Sequence, residues 1–97
     1  MSGQPGIIDP NVPLPPKVYP AGATPAQKAC IDAAYLAAEL ALIQAIASIN
    51  NEYGEYWSDE CGCYGWGAVK DAYEAFWQAW HEIVAALNDA IRQCMES

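Results

Sequence analysis

Positive charge is scarce in this chain. Four Lys and Arg stand against twelve Asp and Glu, for a net charge of −8. Nucleic acid and anionic membrane surfaces both need clustered Lys or Arg. Here the four are scattered as Lys17, Lys28, Lys70 and Arg92, so no nucleic-acid partner is expected and a membrane role is disfavoured. Histidine occurs once, as His81, and Gln78 stands three positions before it. The Glu-x-x-His pair of a four-helix di-iron site is therefore missing. Phosphate loops, nucleophile elbows and paired catalytic carboxylates are missing too. These absences predict a non-enzymatic protein with no catalytic residues, no cofactor and no metal.

The N-terminus lacks a basic segment followed by an apolar run, so no signal peptide is expected. The longest apolar stretch, 33–49, is interrupted by Glu39 and Gln44 and is short for a membrane span. Four cysteines in a short chain favour an extracellular or virion-like oxidising setting.

Proline is absent after Pro25, and all seven prolines fall in the first quarter. Residues 1–23 are thereby barred from helix or central strand and are expected to form an extended arm. Its apolar side chains, Ile7, Ile8, Val12, Leu14, Val18 and Tyr19, suit docking on a surface. Thr24-Pro25-Ala26-Gln27 then reads as a helix start, with Thr24 as N-cap, proline at the first helical position and Gln27 completing a capping box. The expected layout is all-α: an antiparallel hairpin over 24–97, with helix 1 over about 25–55, a turn over about 56–66 and helix 2 over about 67–95. Helix 1 is expected to stop around Tyr53 if Gly54 acts as the breaker, or to run as far as Trp57 if Gly54 is tolerated.

Helix 2 carries Trp66, Tyr73, Trp80, Leu87 and Cys94 at a spacing of seven, flanked by Val69, Phe76, Ile83 and Ala90 and by Trp77, Val84 and Ile91. Three rows make the broad apolar face of a core-facing helix rather than a two-row coiled-coil seam. Helix 1 is apolar on several sides. Cys30, Ala34, Ala37, Ala41, Ala45 and Ser48 form a stripe of small residues, expected to face helix 2. Two further rows, Ile31, Tyr35, Leu42, Ile46, Ile49 and Tyr53, and Leu36, Leu40 and Ile43, are then left without a cover.

Burying each large apolar side chain contributes about 1.5–3 kcal/mol, so nine left wet would forfeit as much as a small domain's whole stability. The nine are the expected assembly interface. The reading that follows is a structural subunit that self-assembles as a filament, shell or closed oligomer through helix 1 and the arm, as a homo-oligomer. The alternative is an exported or inhibitory binding module whose apolar face is covered by a different protein. On this facing, Ala41→Leu should damage the hairpin, and a charge at Leu42 should break assembly alone.

In an antiparallel pair the numbers of facing residues share one sum. Cys30 with Cys94 and Cys61 with Cys63 both give 124. A fold centred on Gly62 places the first pair at the open end, as the expected disulfide, and the second at the tip, bonded to each other or to another chain. In shape the layout resembles the small helical hairpins exported by type VII secretion, with about a hundred residues, two long helices, and Trp and Gly in the turn. Here the turn reads Gly65-Trp66-Gly67, without that group's Trp-x-Gly.

Overall fold

The computed structural model describes residues 6–96. In order these are an N-terminal segment, α1 (Pro25–Tyr53), one 3-10 turn (Gly54–Tyr56), β1 (Trp57–Ser58), β2 (Cys63–Tyr64) and α2 (Ala68–Glu96). The first five residues of the expected arm, Pro5 among them, and the hairpin's last residue, Ser97, lie outside the described residues. The chain is mostly helical, and its two long helices pack together as a hairpin extending over 57 × 24 × 16 Å.

The cap of α1 forms as its sequence requires. Thr24 Oγ1 accepts the Gln27 amide at 3.1 Å, and Gln27 Oε1 accepts the Thr24 amide at 2.8 Å. These bonds satisfy donors that a helix start otherwise leaves open. Gln27 also reaches across, its Nε2 donating to the Met95 carbonyl at 3.3 Å. One side chain thus caps α1 and ties it to the end of α2.

At the far end α1 stops at Tyr53, as expected, but Gly54 does not break it by a left-handed turn. Gly54 keeps right-handed backbone angles (φ −60°) and is buried, so α1 tightens into the 3-10 turn instead of stopping at a left-handed residue. β1 and β2 then pair antiparallel, with Trp57 opposite Tyr64 and Ser58 opposite Cys63. This register centres the reversal between Glu60 and Cys61, not on Gly62. Gly62, at φ +66°, closes the turn, its amide donating to the Ser58 carbonyl at 2.9 Å.

The facing of α1 is rotated by about 100°, one residue's turn, from the sequence expectation. Its buried row is Ile31, Tyr35, Ala38, Leu42, Ile46 and Ile49. The alanine stripe instead flanks the contact: Ala34, Ala41 and Ala45 are half-buried, while Cys30, Ala37 and Ser48 are exposed. The cause is the N-terminal segment, which lies against the hairpin and offers the large side chains a second surface. Ile8, 1% exposed, joins Leu42, Ile46, Ile49, Ala72 and Phe76 in one core cluster. Ile31, Tyr35, Ala38, Leu87 and Cys94 form the other, and Leu14 and Ile83 pack against both.

α2 keeps Phe76, Leu87 and Cys94 of its expected rows in the core, but near its start Ala68 and Ala72 take the places expected for Val69 and Tyr73. Ala68, Ala72, Phe76, Leu87 and Cys94 are its buried residues, whereas Val69, Tyr73 and Trp77 are exposed. Trp66 precedes the helix and is fully exposed, so it starts no apolar row. Tyr73 and Trp80 turn toward the N-terminal segment, donating to the carbonyls of Ile7 and Pro13 at 3.4 Å each.

Candidate self-association surface

Of the nine side chains expected at an assembly interface, five are covered inside the chain. Ile31, Tyr35, Leu42, Ile46 and Ile49 are buried against α2 and the N-terminal segment, and Tyr53 is half-buried. For these the expectation is corrected. The segment fills the gap that a second copy was needed to fill. Leu36, Leu40 and Ile43 remain, 58%, 53% and 58% exposed.

Ala29, Ala33 and Ala47 are exposed as well. At 3.6 residues per turn the six occupy a sector of about 80° on the outer side of α1. No charged residue falls within that sector. Asp32 and Glu39 stand at one edge, and Gln44 and Asn51 at the other. α1 with its 3-10 extension, Pro25–Tyr56, is long and apolar enough by length and composition to cross a membrane, and only 22% of its most apolar stretch is buried. Exposed apolar faces on small proteins are where interaction surfaces are to be sought.

The spacing within the sector is self-complementary. Leu36 and Leu40, Ala33 and Ile43, and Ala29 and Ala47 are pairs whose numbers each add to 76. Two copies of α1 crossing antiparallel about one two-fold axis would set Leu against Leu and each Ile43 against a small Ala33. In such an isologous contact the same patch serves both partners.

A second concavity lies between the helices, on the side away from the N-terminal segment. It is an open groove of about 270 Å³, lined chiefly by Ala34, Ala37, Ala41, Ala86 and Ala90. The alanines that were expected to make the helix contact are too short to close it.

The polar contacts at the segment's edge hold it beside this surface. Asn50 grips Ile8 with both halves of its amide: Oδ1 accepts the Ile8 amide at 2.8 Å, and Nδ2 donates to the Ile8 carbonyl at 3.0 Å. Farther along, the Tyr19 hydroxyl donates to Asp32 Oδ1 at 2.5 Å, and Lys17 Nζ stands 3.0 Å from the same oxygen. The tyrosine hydrogen bond, and then the ammonium, hold the Asp32 carboxyl below the usual range; the same bond raises the Tyr19 phenol. Sequence reasoning missed both contacts. Asn50 is a polar residue on the edge of an otherwise apolar row, the one signal that could have pointed to a buried-edge clamp.

Both expected cysteine pairs are bonded. Cys30–Cys94 joins the helices at the open end, with Cα atoms 5.8 Å apart, and Cys61–Cys63 closes on itself at the tip. Two disulfides fit an oxidising setting. Among the described residues no group of three or more His, Cys, Asp or Glu is placed to hold a metal. His81 is exposed beside Trp77 and Trp80. No protein-family model matches the chain, and no curated protein or solved structure is similar to it.

Proposed function

We propose that this protein is a structural subunit whose second copy covers the outer face of α1. The observation that carries the reading is the uncharged sector holding Leu36, Leu40 and Ile43, self-complementary about a two-fold axis and bare in the single chain. Homodimer interfaces are more apolar than interfaces with other partners, which as a whole carry more polar and charged groups. This sector offers none, and the abundant carboxylates lie outside it. A second copy brings the same uncharged row, setting Leu36 against Leu40 and Ile43 against Ala33.

The N-terminal segment borders the contact. Residues of 10–17 share a groove with Glu39 and Ile43, so segment and sector form one continuous surface. The internal core leaves the hairpin folded by itself. Assembly adds cover for three large side chains and not for nine. Binding of moderate strength follows.

Two substitutions separate the modes of assembly. Leu40→Glu sets a pair of carboxylates against Leu36 of each copy and leaves only monomer by light scattering, with helical content unchanged. Ala41→Leu, which fills the alanine groove, leaves association as in the parent chain. Loss of association in Ala41→Leu would mean that the Leu ridge of one copy enters the groove of the next, an open filament contact in place of a closed pair. Association that survives Leu40→Glu would rule out this face altogether.

A further inference from the structure

The two disulfides differ in what they do for the fold. Cys30–Cys94 spans 64 positions and includes Cys94, which is 4% exposed and belongs to a core cluster. Cys61–Cys63 spans two positions, and Cys61, Gly62 and Cys63 are all exposed. A bond that encloses a single residue removes almost no freedom from the unfolded chain. The turn that carries it is also held by other means. The Gly62 amide bonds to Ser58, the Gly65 amide bonds to Tyr56, Trp57 packs edge-on against Tyr64 at 5.0 Å, and Trp57 Nε1 donates to Asp59 at 2.8 Å. Opening the bond costs the fold little, and both sulfurs are open to attack. Exposed disulfides that staple nothing are the labile ones.

From this we infer that the tip is a thiol–disulfide exchange site whose partner is a cysteine-bearing peptide or small thiol of neutral or positive charge. The charge follows from the surroundings. No Lys or Arg occurs between Lys28 and Lys70, and Glu55, Asp59 and Glu60 crowd the tip of a chain whose net charge is −8. An incoming thiolate that carries further negative charge meets this field and is slowed, whereas an ammonium beside the thiol offsets it. Tyr56 and Trp66, exposed and within five residues of the pair in sequence, offer a peptide apolar side chains.

The step balances with a thiol as the only co-reactant. A thiolate sulfur attacks Sγ of Cys61 or Cys63, and the bond between the two sulfurs breaks. The electron pair leaves on the other cysteine, which takes up a proton. A second thiolate then attacks the mixed disulfide. It releases the oxidised thiol pair and leaves Cys61 and Cys63 as thiols, two electrons richer together. The site rests on the tip alone and is independent of whether α1 pairs with a second copy.

Kinetics of the oxidised full chain with cysteamine and with glutathione, at equal thiolate concentration, test this. The reaction is quenched by alkylation and read by peptide mass. Cys61 and Cys63 are expected to be alkylated together while Cys30 and Cys94 stay joined, with a mixed disulfide at the tip at early times. Cysteamine should react about tenfold faster at low ionic strength, and the gap should narrow in about 1 M salt. The Cys61→Ser/Cys63→Ser double variant should keep its helical circular dichroism and lose the fast reaction. Opening of Cys30–Cys94 first or simultaneously would overturn the inference. Loss of helix in the double variant would do the same, by making the tip bond structural. Equal rates for the two thiols would overturn the charge of the partner.

Discussion

Single side chains decide where the N-terminal segment lies. Asn50 holds both polar groups of the Ile8 backbone at the edge of the core. Asn50→Ala leaves them unpaired in a part-buried place, at a cost of about 1–3 kcal/mol. Each kcal/mol is worth about 4–8 °C of melting temperature at this size, which a thermal melt resolves. The Tyr19–Asp32–Lys17 contact is exposed and is a matter of pH. The folded carboxyl lies below its unfolded value, so its contribution is present above about pH 4 and is lost as pH falls through the folded value. The Tyr19 phenol lies above its unfolded value, so its contribution is present below about pH 10 and is lost as pH rises through the folded value. Tyr19 ring signals in NMR should stay constant between those limits and shift at both ends. Asp32→Asn should abolish the acid-side transition.

At the level of elements, much was legible. The capping box fixed the start of α1, the last proline fixed what precedes it, and the cysteine sums fixed the antiparallel pairing at the open end. These signals are local or arithmetic. The rotation of α1 was not legible, because it depends on a third layer. With two helices alone, small against large is the better packing. Once Ile8 and Leu14 bring their own bulk, the large row of α1 wins the contact and the alanines move to an open groove. The rotation reverses two expectations. Leu42→Ala now costs about 2–5 kcal/mol of chain stability, since Leu42 is 5% exposed in a core cluster. Ala41→Leu changes stability by no more than about 0.5 kcal/mol, since the groove has room. Urea titration of both variants checks the pair, and the opposite ranking would restore the alanine-facing arrangement. Removing Cys30–Cys94 by paired alanines should cost about 2–4 kcal/mol by the same measurement, because that bond closes a long loop.

The described chain is a hairpin with its own core and a bare apolar face on α1. Three of the nine expected interface residues stay uncovered, so the assembly we propose has less apolar surface to bury than the sequence suggests. Charge opposes it: each copy carries −8, and bringing two together sums the repulsion. Salt screens such fields over about 10 Å at 0.1 M. Raising salt from about 50 to 500 mM should therefore tighten association, the reverse of what an interface built on opposite charges would do.

The central claim is that a second copy covers Leu36, Leu40 and Ile43. Sedimentation equilibrium of the oxidised chain, from micromolar to about millimolar concentration, tests it most directly. A mass rising from 10.5 kDa to twice that value, and no further, is the predicted result. A folded chain that holds 10.5 kDa across the whole range would contradict it.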